Sequence, residues 1–164
     1  MGMQAQSALP RQGARSLLLL MAGALLLLSL ACAHVPIEPL SPSAPLAALS
    51  GSWKGRHDPR QAGECIYGGG AATLTLTLVV LEDGTASGSV GGDPLTGTIL
   101  RGGQVRFERT GQSSCQGAGH TWKSSYKGTV GVQKGRTVMR FSGLETWCPP
   151  ECAFHVSYSF QKED

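Results

Sequence analysis

Five cysteines and four histidines are the residues of this 164-residue chain best suited to chemistry. Cys148-x-x-x-Cys152 has a spacing that a zinc site tolerates, but Cys65 and Cys115 supply no second close pair. His34 lies outside any patterned segment, and His155 alternates with Phe154 and Val156, which turns it away from a core. His57 and His120 remain. Ser113 and Ser114 lie near His120, yet no G-x-S-x-G turn would hold either as a nucleophile. Gly68-Gly69-Gly70 lacks the Lys-Ser/Thr that completes a phosphate-binding loop. The reading is therefore of a non-enzyme: no catalytic residue, no metal site and no cofactor is expected. Oxidised cysteines are the expected chemistry, which in turn requires export.

The N-terminus supplies the export signal. Met1 to Arg15 is polar with two arginines and no acid, and Leu17 to Ala31 is almost wholly apolar. That stretch is shorter than the ~20 residues a helix needs to cross a bilayer and suits a signal peptide. It ends Leu28-Ser29-Leu30-Ala31-Cys32, which resembles the lipobox of bacterial lipoproteins. The resemblance implies a signal peptide over 1–31, lipidation of Cys32 and attachment to a membrane through that lipid. Ala33, not aspartate, follows the cysteine, which by the same resemblance implies sorting to the outer membrane. The competing reading is an ordinary A-x-A cleavage after Ala33, releasing a protein that starts at His34. Lipidation also explains why the cysteine count is odd.

From 32 to 50, Pro36, Pro39, Pro42 and Pro45 recur every third residue, predicting an extended, stiff tether. The remaining 51–164 is one domain. The formal charge of +3 includes Arg11 and Arg15 of the leader, so the exported part is nearly neutral. Without a dense basic face, nucleic acid is not an expected partner.

Alternation is clearest at Thr73 to Val80, followed by a hairpin turn at Glu82-Asp83-Gly84-Thr85. Similar segments follow at Ala86–Val90, Leu95–Leu100, Gln104–Arg109, Trp122–Val130, Arg136–Leu144 and Phe154–Gln161, with Gly51–Arg56 in front. The fold predicted is all-β, a small eight-stranded up-and-down barrel stapled by disulfides at one end. Leu74, Leu76, Leu78, Val80, Val105, Phe107, Tyr126, Val130, Met139, Phe141, Phe154, Val156, Tyr158 and Phe160 are expected to point inward. Gly51-Ser52-Trp53 and the recurrent Gly-Thr turns resemble the calycin-like barrels, which include lipocalins, avidins and small secreted inhibitors. Gly131-Val132-Gln133 stands where lipocalins carry Thr-Asp-Tyr, and the last strand holds no arginine to stack on Trp53. What the resemblance implies is the architecture, with Trp53 plugging the end that carries short turns.

In such a meander, alternate loops share one end. Cys65, Cys115, Cys148 and Cys152 then gather at one mouth with His57, Asp58, Glu64, Tyr67, His120, Glu145, Trp147 and Glu151. His57, Tyr67, His120 and Trp147 are the candidate recognition surface there. Strand order favours disulfides Cys65–Cys152 and Cys115–Cys148; the local alternative is Cys148–Cys152 with Cys65–Cys115. The function expected is a lipid-anchored envelope lipoprotein carrying a β-barrel binding module for an unidentified envelope protein, inhibitors included. The alternative is a lipocalin-like carrier of a small apolar ligand, with room made by the small inward residues Ala86, Gly88 and Gly97.

Overall fold

The computed structural model describes residues 35–62, 71–115, 118–148 and 152–164. Cys32, Cys65, Tyr67 and the leader lie outside them. Nine strands are described: β1 (Glu38–Pro39), β2 (Gly51–Ala62), β3 (Ala72–Val80), β4 (Thr85–Val90), β5 (Asp93–Ile99), β6 (Gln104–Cys115), β7 (Ala118–Gln133), β8 (Arg136–Cys148) and β9 (Cys152–Lys162). Strands β2 to β9 pair antiparallel with their chain neighbours, while β9 also pairs β2. The result is a closed eight-stranded barrel in meander order. Closure satisfies every edge, and period-two alternation then directs one face of each strand into a common core. All the residues expected to point inward are buried, except Leu74, which is partly so.

Three tight turns, β3–β4, β5–β6 and β7–β8, and the chain's re-entry seal one end. The β3–β4 turn closes through Gly84 N–H on Leu81 O at 2.9 Å, and Asp83 Oδ1 accepts from Thr85 N–H at 2.8 Å. Lys134 and Gly135 turn β7 into β8 with positive φ at both positions, the geometry whose twist suits a two-residue hairpin. Trp53 is wholly buried in this end and donates Nε1–H to Leu49 O at 3.2 Å.

The proline-rich segment differs from its expectation. Strand β1 adds to β7, with Glu38 opposite Val132 and Pro39 opposite Gly131. A single 3₁₀ turn over Leu46–Leu49 buries both of its leucines in the barrel core. Leu40 packs against the same core. Proline spacing predicted the extended backbone, but Leu40 between Pro39 and Pro42, with Leu46 and Leu49 after Pro45, draws the segment onto the barrel. Burying such a side chain stabilises by about 1.5–3 kcal/mol, comparable to the cost of ordering one or two residues.

The strands also run further toward the opposite end than alternation suggested. β2 continues past Arg56 to Ala62, β6 past Arg109 to Cys115 and β8 past Leu144 to Cys148. Among the described side chains, the inward positions of these extensions are His57, Pro59, Gly111, Ser113 and Glu145, which carry no apolar signal of a strand.

Candidate functional site

The strand extensions build a polar chamber inside the barrel beneath the mouth. Glu145 on β8 is 0% exposed, and its Oε1 accepts from Tyr126 Oη–H at 2.5 Å and Tyr158 Oη–H at 2.7 Å. Arg109 on β6, 8% exposed, donates Nη1–H to the same oxygen at 3.1 Å and contacts the Tyr158 hydroxyl. Its Nη2 reaches Asp93 Oδ2 at 2.6 Å, and the Asp93 side chain is 37% exposed. An ionic ladder therefore runs from a deep carboxylate through a guanidinium to a carboxylate at the rim. The guanidinium also lies 5.1 Å from the Trp122 ring centroid, within cation–π range.

The chamber's electrostatics follow from burial. Both tyrosine hydroxyls are pushed far above the ordinary phenol range, first by desolvation and then by the Glu145 charge. They stay protonated and act as donors. Burial works to lower the Arg109 pKa, but Tyr158, Glu145, Tyr126 and Asp93 outweigh it and hold the value above the usual one. His57, 6% exposed, packs against Tyr158 with ring centroids 5.2 Å apart. Burial holds its pKa below the usual 6.5, against the opposing pull of Glu145. Arg109 and Ser124 face each other across β6 and β7. Arg109 Nε and Ser124 Oγ are buried polar atoms without a hydrogen-bond partner among the described residues.

No family model, curated protein or solved structure matches the chain.

The expected mouth surface is placed as follows. His57 belongs to the interior of β2, not to a loop, because β2 runs six residues beyond Arg56. Glu145, expected among the loop residues, is the most buried member of the chamber. Asp58 is exposed on the outer wall of β2. His120 is half-buried on β7, opposite Ser113. Trp147 lies on the β8 extension, while its side chain, like Tyr67, Glu64 and Glu151, falls outside the described residues. Cys115 ends β6, Cys148 ends β8 and Cys152 opens β9, all at the mouth end, with Cys148 directly opposite Cys152 in register. His155 is exposed on the outer face.

Arg109, Trp122, Ser124 and Asp93 were not among the sequence candidates. A usable signal existed: period two carried beyond Phe107 lands on Arg109, and beyond Phe141 on Gly143 and Glu145. The room expected at Gly88 and Gly97 is filled. A Cβ added at Gly88 would sit 1.8 Å from Thr77 O, and one at Gly97 2.0 Å from Arg106 O. These glycines admit a neighbouring strand's backbone, not a ligand.

Proposed function

We propose that the chain is a lipid-anchored outer-membrane lipoprotein, attached through Cys32, whose barrel is a binding module that engages an envelope protein through its mouth. The supporting observation is the chamber itself. Arg109, Glu145, Tyr126 and Tyr158 bond to one another across β6, β7, β8 and β9, occupying the space a carried ligand would need. A buried network that spans four strands rigidifies the rim from which the mouth loops spring, and rigid scaffolds carrying loops suit protein recognition. Small inhibitors built on similar barrels fit the same description. The carrier alternative loses the support that Gly88 and Gly97 lent it.

Two disulfides brace the mouth in this reading, each stabilising by about 2–4 kcal/mol. The register of Cys148 against Cys152 supports the local pairing, which leaves Cys65 to join Cys115. Peptide mapping without reduction distinguishes it: a fragment joining Cys65 to Cys152 returns the pairing to the crosswise form.

The anchor and the module are tested separately. Metabolic labelling with an alkyne fatty acid should tag the wild type and not Cys32→Ser; an unlabelled wild type beginning at His34 refutes the anchor. Titration of the delipidated protein with an apolar fluorescent dye should show no saturable uptake. Saturable uptake makes the domain a carrier.

A further inference from the structure

The outer wall of the barrel carries a feature that the mouth reading leaves unused. Two depressions of about 490 and 640 Å³ lie side by side on it and share Lys127 and Ser142. They follow a cross-strand row in which Asp58, Ser157, Ser142, Lys127, Arg106 and Thr98 are successive register partners on β2, β9, β8, β7, β6 and β5. Arg56, Ser159 and Arg140 form a second, parallel row beside it. With strands about 4.8 Å apart, the first row spans roughly 24 Å of wall.

Three observations show that this wall is not arranged for stability. Lys127 stands directly opposite Arg106, and like charges facing each other across strands are destabilising. Ser142, Ser157 and Ser159 are exposed at mid-strand, where Thr or Val would serve a sheet better and where their small size leaves a trough. Arg56, Arg106 and Lys127 have no acidic partner among the described residues, whereas Glu108 within the second depression is engaged by Lys123 at 2.7 Å. Among the described residues, Asp58 is the carboxylate left facing the row. In a domain that is otherwise nearly neutral, the wall is a local cationic trough lined with hydroxyls.

We propose that this trough binds an acidic oligosaccharide, a hydroxyl-rich chain bearing carboxylate or sulfate groups. The guanidinium groups of Arg56 and Arg106, with the ammonium of Lys127, supply charge-assisted bonds to the anionic groups. The serine hydroxyls, which both donate and accept, match sugar hydroxyls lying between those groups. The aromatic rings behind the wall, Phe107, Tyr126, Phe141 and Tyr158, are buried, so nothing is offered for base stacking, on which single-stranded nucleic acid binding depends. The trough lies on the outside of the barrel, away from the mouth, and its occupancy does not depend on the lipid anchor.

The test is calorimetric titration of the full chain in detergent with oligogalacturonate, with neutral dextran and single-stranded DNA as parallel probes. Oligogalacturonate should bind with an affinity that falls as salt rises, and dextran should not bind. Arg56→Gln with Lys127→Gln should weaken that binding at least about tenfold, the two substitutions being exposed and leaving the circular dichroism spectrum unchanged. Ser157→Asp, which places a negative charge in the trough, should weaken it similarly, whereas Lys134→Gln at the sealed end should not. Binding unaffected by the trough variants, equal binding of dextran, or tighter binding of the DNA would each overturn the proposal.

Discussion

The two ends of this barrel solve the same problem, how to fill a closed sheet, with opposite chemistry. At the sealed end, Trp53, Leu46, Leu49, Val80, Ile99 and Met139 pack as an apolar plug in which the polar contact is the indole N–H on Leu49 O. At the mouth end, inward positions further along the strands carry His57, Arg109, Ser124 and Glu145. Apolar burial is non-directional, so the sealed end needs only the right volume. The chamber depends on distances and angles, because each member left unpaired in a low dielectric is costly. Stability should thus be spread broadly at one end and concentrated in a few bonds at the other.

The largest effect should come from Trp53→Ala, which empties the plug and orphans the Leu49 carbonyl. A loss of about 3–5 kcal/mol is expected in urea unfolding, and a loss below about 1 kcal/mol would show that the plug is not what holds this end. Glu145→Leu should follow at about 3 kcal/mol, because it removes the carboxylate that both tyrosine hydroxyls donate to and one of the two carboxylates paired with the buried Arg109. The fourfold replacement Arg109→Met, Glu145→Leu, Tyr126→Phe and Tyr158→Phe should recover most of that loss, since it leaves no member of the Arg109–Glu145–tyrosine network unpaired. If the fourfold variant is no better than Glu145→Leu, the chamber stabilises through shape alone and the contrast between the ends disappears.

The smallest effect concerns pH. His57 has a folded pKa below 6.5, so the unfolded state binds the extra proton first as pH falls. Its contribution is fully present above about 6.5 and is lost progressively below it as pH approaches the folded value. His57→Phe should therefore flatten the decline in unfolding midpoint between neutral and mildly acid pH, relative to the wild type. An unchanged decline would place the pH sensitivity elsewhere.

Strand identity and facing were legible in the chain wherever the inward residues were apolar. Thr73 to Val80 announces both the strand and its buried side, and the same holds from Val105 to Phe107 and from Phe154 to Phe160, because alternation is a local property of a pleated backbone. The hairpin at Asp83-Gly84 was equally local. Where inward residues are polar, alternation is silent: Arg109 and Glu145 are buried only because β7 and β9 bring Tyr126 and Tyr158 to them. That pairing spans 36 residues between Arg109 and Glu145 and 49 between Arg109 and Tyr158. The leucines of the proline-rich segment were likewise visible as residues but not as core, since Leu46 and Leu49 find their partners on strands that follow them. The sequence by itself determined a meander of short strands and most of their inward faces. Only the closed tertiary structure decided how far the strands run, what seals one end and which charges meet at the other, because those outcomes depend on contacts between residues far apart in the chain.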